Sequence, residues 1–428
     1  MLIYVTKGGD TLYSVAAQYD LEPTLLAGMN GLPDDAQLVV GQALLVREPG
    51  RVHRVAAGDT LSAIARRYGT DVSTLCRNNY RLGGRDALRE GELLVVSYDD
   101  EAPLGTIGVN GYAYPYIEPP LLDAAAPYLS YLTPFTHGIG RDGALLPPDD
   151  AALLDAAGRY GVAPLLHLST LTEEGHFSNE RASLLLGSPA LQERLIDAVE
   201  RLAREKGYYG VDVDFEFVPA AERTRYAAFV RRLRERMNAL GCPVLVALAP
   251  KTRADQPGLL YEAHDYALLG EAANAVLLMT YEWGYTYGPP MAVAPLPQVR
   301  AVLDYAVSAI EPKKIFLGVP LYGYDWALPF VRGTTRAESL SPSRAVELAL
   351  RYGTEIMYDE QAQAPYFYYT DRAARAHVVW FEDARSIDAK LRLVAEYGLQ
   401  GVGCWNLMRA MPQCWTLLNA LYRIETIP

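Results

Sequence analysis

The sequence predicts an α/β protein: a closed (β/α)8 TIM barrel with a small α+β insertion, preceded by two small βααβ modules. Three observations carry that expectation. From about Pro103 onward, eight short apolar runs alternate with amphipathic helical stretches over about 320 residues, the pattern of a parallel barrel. The first hundred residues contain an internal repeat. No GxGxxG or GxxxxGK(S/T) loop follows any of the apolar runs, which weakens the alternative, a doubly wound open sheet.

The repeat defines the modules. Gly9-Asp10-Thr11-Leu12 aligns with Gly58-Asp59-Thr60-Leu61, and Asn30 with Asn79 at the same offset. Gly41-Gln42 and Gly91-Glu92 then precede the apolar runs Leu44-Leu45-Val46 and Leu93-Leu94-Val95-Val96. Each unit reads as strand, helix, helix, strand. The Gly-Asp pair suits a turn, and the Asp is expected to cap the helix that starts at Thr-Leu. Val15, Ala16 and Tyr19 give the first helix an apolar stripe. The expected domains are 1–47, 51–97 and 103–428, the length being too great for one core.

Candidate barrel strands are 106–109, 128–134, 163–168, 210–215, 244–249, 275–280, 315–320 and 401–405, with amphipathic segments such as 189–205 between them. The last two strands are separated by more than a crossover helix requires. The stretch 323–375, rich in Tyr and charge, is expected to form a lobe on the barrel rim and leads into the apolar run 377–381.

Composition narrows the partners. A net charge of −12 argues against nucleic acid, because phosphate neutralisation needs basic surface. It leaves room for a sugar ligand, and the 30 tyrosines suit both core filling and carbohydrate contact. Cys76, Cys242, Cys404 and Cys414 form no CxxC or Cys/His spacing and read as buried free thiols. The six histidines show no HExxH pattern, so no metal and no cofactor are expected. The N-terminal MLIYVTKGGDTL lacks a basic region followed by an apolar run and a cleavage site, so no secretory signal is read. No segment approaches the ~20 apolar residues of a membrane span. A monomer made in the cytosol is expected.

The chemistry concentrates in Tyr209-Gly210-Val211-Asp212-Val213-Asp214-Phe215-Glu216. Strand periodicity puts Val211, Val213 and Phe215 on one face and Asp212, Asp214 and Glu216 on the other. Three carboxylates on one face of an apolar strand are costly, because adjacent like charges cannot all ionise cheaply. Their use is general acid catalysis: Glu216, at the strand's C-terminal end, would have its pKa raised by Asp214 and burial. Asp212 and Asp214 would share a proton, letting Asp214 change partner during turnover.

This strand resembles the DGxDxDxE signature of glycoside hydrolase family 18, the chitinase-like family. Met279-Thr280-Tyr281-Glu282 matches the family's M-x-Y-D element, and Ala247-Leu248-Ala249-Pro250-Lys251 its fifth strand. Leu317-Gly318-Val319-Pro320-Leu321-Tyr322-Gly323 matches the seventh, and Gly403-Cys404-Trp405 places a tryptophan after the eighth. The resemblance implies substrate-assisted, retaining catalysis. Glu216 would protonate the leaving oxygen, and Asp214 and Tyr281 would orient the substrate's own 2-acetamido group. Trp405 would form the floor of the −1 site, with Met279, Glu282, Tyr322 and Trp283 as substrate-binding positions. Trp283 and Tyr285 could serve as subsite platforms or as loop anchors, while Trp326, Trp380 and Trp415 read as structural. Two departures stand out: Tyr209 replaces the family's first Asp, and Glu282 replaces the Asp beside Tyr281.

The repeat in turn resembles the LysM module, which binds N-acetylglucosamine-containing glycans such as peptidoglycan and chitin. That resemblance implies two sugar grooves, lined by 9–12 with 25–32 and by 58–61 with 75–81. Gly9, Asp10, Thr11, Asn30, Gly58, Asp59, Thr60 and Asn79 are the candidate contacts, Asp10 and Asp59 being read first as turn residues. Two such modules before this barrel, Phe215 where chitinases usually carry Trp, and no visible signal resemble the spore cortex-fragment-lytic N-acetylglucosaminidases. That likeness implies a germination role in degrading the spore's cell wall, with synthesis in the mother cell and deposition on the spore coat or cortex. Chitinase activity and a catalytically silent glycan-binding barrel remain the alternatives.

Overall fold

A computed structural model describes residues 1–427 except 84, 86, 100 and 173; position 428, the expected end of the barrel domain, lies outside the described residues. Eight parallel strands form the barrel: β1 Thr106–Ala113, β2 Tyr131–Pro134, β3 Ala163–Ser169, β4 Gly210–Asp214, β5 Val244–Leu248, β6 Ala275–Leu278, β7 Ile315–Pro320 and β8 Gly401–Trp405. Each pairs with the next in order, and β8 closes on β1 through Gly401 opposite Gly108. The fold is the (β/α)8 barrel that the apolar periodicity predicts, with strands displaced from expectation by a few residues at most. Between β3 and β4 runs the 18-residue helix Pro189–Lys206, N-capped by the Ser188 hydroxyl on the Leu191 N–H.

Two layers of core explain the patterning. Val211, Val213 and Phe215 are fully buried against the surrounding helices. Tyr112, Leu165, Leu245, Leu277 and Phe316 fill the barrel's interior. Asp212 and Asp214 therefore point to the inside, where only a functional site compensates the cost of burying carboxylates.

The lobe is a five-stranded antiparallel sheet with one helix, Pro342–Tyr352. Its strands are Gly323–Ala327, Glu338–Leu340, Met357–Asp359, Ala364–Thr370 and Ala376–Trp380. The lobe thus extends past residue 375: the apolar run beginning at His377 is its inner strand, pairing with both Gly323–Ala327 and Ala364–Thr370.

Each module has the expected βααβ order, with Leu2–Val5 antiparallel to Ala43–Val46 and Pro49–Arg54 antiparallel to Leu93–Tyr98. The helix caps correct the sequence reading. Thr11 and Thr60, not the preceding aspartates, accept from the Ser14 and Ala63 backbone N–H groups. Asp10 instead closes the turn, accepting from the Lys7 N–H and the Tyr4 hydroxyl, both at 2.7 Å. Asp59 does the same with the Ala56 N–H and His53 Nε2, both at 2.8 Å.

The modules are not beads on a string. Gln413 Nε2 donates to Asn30 Oδ1 and the Ala43 carbonyl, and the Thr416 hydroxyl to the Met29 carbonyl. Asn419 Nδ2 reaches the Arg77 carbonyl of the second module. Ala43 and Leu45 belong to the barrel's core cluster, and Val39 to the lobe's. Gly41 lies so close to the lobe that a Cβ there would sit 1.9 Å from the Ile356 carbonyl oxygen, at a backbone φ of +83°. Among the described residues no helix is long and apolar enough to cross a membrane.

Candidate active site

The site sits at the C-terminal mouth of the barrel, in a cavity of about 340 Å³, within the range of small-ligand pockets. Asp214, Glu216, Met279, Tyr281, Glu282, Trp283 and Trp405 all line it, so seven of the nine barrel residues expected from sequence converge there. The other two support it. Asp212 lies beneath, fully buried, and Tyr322 stands behind Glu282, donating its hydroxyl to Glu282 Oε1. Tyr285 is exposed and not among the lining residues, whereas Trp283 is.

Burial governs the carboxyls. Asp212 Oδ2 accepts the Tyr112 hydroxyl at 2.6 Å, while its Oδ1 has no hydrogen-bond partner among the described residues. Burial raises its pKa to about 6, the Tyr112 bond pulling the other way. Asp214 Oδ1 likewise has no hydrogen-bond partner among the described residues. Its pKa stands well above the carboxylate range, first through burial, then through Glu216 and Asp212. Glu216, half-buried just beyond β4, is pushed up to about 7, first by burial and then by the Glu282 charge. Glu216 and Asp214 repel one another, but that repulsion falls on Asp214, the more deeply buried of the pair, and the charge that raises Glu216 is Glu282 rather than Asp214 as sequence adjacency suggests.

Glu282 is open to the cleft, and the protein packed around its carboxyl still raises its pKa. Its Oε1 accepts from Tyr322 and from Tyr324 at 2.9 Å, and its φ of +67° turns the side chain into the mouth. Tyr281 is buried, with its ionisation pushed far up by burial and then by Asp214 and Glu216, so its hydroxyl is a permanent donor. Gly318 on β7 makes room for that ring: a Cβ there would lie 2.8 Å from Tyr281 Cε1. Trp405 closes one side against Phe135, Tyr112 and Tyr114, with ring centroids at 5.0, 5.8 and 6.2 Å.

Several contributors carried no sequence signal. His264 locks the end of β4 to that of β5, its Nδ1 accepting from the Ala249 N–H and its Nε2 donating to the Phe215 carbonyl. Burial drives its pKa to about 4, so it stays neutral. Tyr112, His167, Phe135 and Phe177 also line the cavity. Each is a common residue type on an ordinary apolar strand or loop, and only barrel closure brings it to Asp214.

In the modules, Asn30 and Asn79 have internal tasks rather than open amides. Asn30 Nδ2 donates to the Leu26 and Leu45 carbonyls and its Oδ1 accepts from the Leu45 N–H. Asn79 repeats this with Leu75 and Val95. Gly9, Thr11, Gly58 and Thr60 stay at the exposed turns where sequence puts them. Trp326 donates to the Gly288 carbonyl, while Trp380 stacks on Tyr366 and Trp415 on Tyr128. All four cysteines are free; Cys404 and Cys414 are buried, while Cys76 and Cys242 are only partly so.

A carboxylic acid raised to about 7 at a barrel mouth, beside a second carboxyl also raised by burial and an aromatic wall, is the apparatus of a glycoside hydrolase. The chain belongs to the glycosyl hydrolases family 18, whose model matches residues 174–410; LysM domains match residues 4–47 and 53–97. It is 39% identical to the cortical fragment-lytic enzyme of Bacillus subtilis over 99% of both chains. The crystal structure of the Bacillus megaterium spore cortex-lytic enzyme SleL superposes with a TM-score of 0.84 at 37% identity, covering 100% of this chain and 99% of that one. A chitinase structure from Chromobacterium violaceum matches 74% of this chain and 98% of its own, at 25% identity and a TM-score of 0.68.

Proposed function

We propose that this glycoside hydrolase is an N-acetylglucosaminidase that cleaves β-1,4 bonds of peptidoglycan, specifically spore cortex fragments, with retention of configuration. Glu216 protonates the glycosidic oxygen. The 2-acetamido carbonyl oxygen of the substrate attacks the anomeric carbon as the leaving group departs, forming an oxazolinium ion. Asp214 accepts from the acetamide N–H, the Tyr281 hydroxyl donates to the acetamide oxygen, and Trp405 stacks under the sugar. Water then adds from the same face, with Glu216 taking its proton.

The observation that carries this reading is the pairing of a Glu216 raised to about 7 with a buried neighbouring Asp214 whose pKa is raised as well. The other nearby carboxyl, Glu282, has one oxygen engaged by two tyrosine hydroxyls, which favours the substrate's own acetamide as nucleophile. The modules would bind the glycan through the turns at Gly9–Thr11 and Gly58–Thr60, Asp10 and Asp59 shaping those turns, and would keep the monomeric enzyme on its polymer. The full-length likeness to cortical fragment-lytic enzymes supports peptidoglycan and a spore location, with synthesis in the mother cell. The chitinase likeness supports chitin as the second reading. Mass spectrometry of products from cortex peptidoglycan and chitin in parallel, with NMR of the first-formed anomer, tests both. Cleavage after N-acetylglucosamine in cortex with the β-anomer first is expected. Faster cleavage of chitin favours the second reading, and an α-anomer refutes the acetamide route.

A further inference from the structure

Asp214 must keep one oxygen ready to accept from an acetamide N–H, yet it is buried beside Asp212 and Glu216, which favours the neutral acid. Something must favour its acceptor form. Its Oδ2 lies 3.7 Å from His167 Nε2, and a movement of about 1 Å brings the pair into hydrogen-bond range. The ring is held from behind: His167 Nδ1 lies 2.6 Å from the Thr136 hydroxyl, which is 2.9 Å from the Ser169 hydroxyl. The Leu171 backbone N–H points at Ser169 Oγ from 3.4 Å. The two hydroxyls are close enough for either to donate to the other, and Ser169 Oγ can accept the Leu171 N–H in both cases. Among the described residues the Ser169 hydroxyl bonds no other acceptor, so the order that satisfies both hydroxyl hydrogens runs Ser169 to Thr136 and Thr136 to Nδ1. That order leaves the ring proton on Nε2, facing Asp214.

We propose that His167 is a positioning residue for the hydrolysis, a neutral N–H donor that holds Asp214 as an acceptor for the acetamide. This rests on the substrate-assisted reading above. The groups facing the ring are Asp214 on β4, Tyr112 on β1, edge-on at 5.9 Å, and His137 after β2, whose Nδ1 lies 3.1 Å from the His167 carbonyl oxygen. Burial, with His137 adding to it, drives the His167 pKa down to about 3, so the ring donates without carrying charge across the working pH range.

Two measurements test the inference. The first is independent of activity: ¹⁵N NMR of histidine-labelled full-length protein, with His167 assigned through His167→Gln. The Nε2–H tautomer is expected from pH 5 to 8; an Nδ1–H tautomer or an imidazolium overturns the proposal. The second compares His167→Leu with His167→Gln, whose amide can still donate. The Leu variant is expected to lose about ten- to a hundredfold in kcat/KM. Its acid limb moves upward by about one pH unit, because Asp214 ionises less readily without its donor. The Gln variant keeps most of the rate and an acid limb close to wild type. An unmoved acid limb in a folded Leu variant, or equal losses in both variants with no movement, marks a packing role and overturns the proposal. If wild-type protein cleaves no acetamido glycan while the NMR gives the Nε2–H tautomer, the function reading fails and the His167–Asp214 geometry stands.

Discussion

Glu282→Gln isolates the charge that tunes the acid. Glu216 rises from its ordinary 4.5 to about 7, a span of about 2.5 pH units, with burial the larger cause and the Glu282 charge the second. The charge therefore supplies less than half, at most about 1.2 pH units or ~1.7 kcal/mol. Glutamine keeps an oxygen for the Tyr322 and Tyr324 hydroxyls, so the mouth keeps its shape. Glu216 must be protonated to act, which places the alkaline limb of wild-type kcat/KM near pH 7. Removing a neighbouring negative charge makes Glu216 a stronger acid, so the limb moves to lower pH, by between a few tenths and about one unit. Reducing-end release from soluble cortex fragments between pH 4 and 9 reads this directly. Glu282→Asp keeps the charge and is expected to keep the limb. A limb that stays put or moves to higher pH in a folded Glu282→Gln protein refutes the assignment of Glu282 as the raising charge.

Tyr112→Phe removes the hydrogen bond to the Asp212 carboxyl and is expected to destabilise the fold by about 1.5–3 kcal/mol at pH 8 and by less at pH 5. Asp212, at about 6, is ionised only at the higher pH, and urea unfolding at both pH values measures the difference. Asn30→Ala strands the backbone groups of Leu26 and Leu45, and Asn79→Ala those of Leu75 and Val95. Each is expected to cost about 2–4 kcal/mol by thermal or urea unfolding, and unchanged stability with lost glycan binding would return these residues to the sugar groove. Deleting residues 1–97 bares the surfaces that meet Gln413, Thr416 and the lobe. The remaining barrel is expected to melt lower and to cleave even short soluble fragments more slowly; a truncated barrel with wild-type melting and rate contradicts the docked arrangement.

The strands and the place of Glu216 at the end of β4 are legible in sequence because both obey local rules. Eight apolar runs at barrel spacing have few alternatives, and alternation around Asp212, Asp214 and Glu216 forces carboxylates inward. What escaped depends on contacts far apart in the chain. Tyr112 meets Asp212 across the barrel, and Gln413 meets Asn30 from nearly the other end of the sequence. The module resemblance makes Asn30 and Asn79 sugar-contact candidates, yet an amide pinning a strand repeats just as faithfully. Asp10 and Asp59 sit one residue too early to cap a helix, a distinction set by backbone geometry that composition does not encode. The lobe's end was placed early because its inner strand, beginning at Ala376, is indistinguishable by pattern from a barrel strand.

The central claim is that Glu216 alone supplies the proton while the modules supply the hold. Glu216→Gln, assayed for reducing-end release from cortex fragments and for co-sedimentation with insoluble peptidoglycan, tests it most directly. The account predicts loss of hydrolysis by at least about a thousandfold with co-sedimentation unchanged; hydrolysis near the wild-type rate in that variant contradicts it.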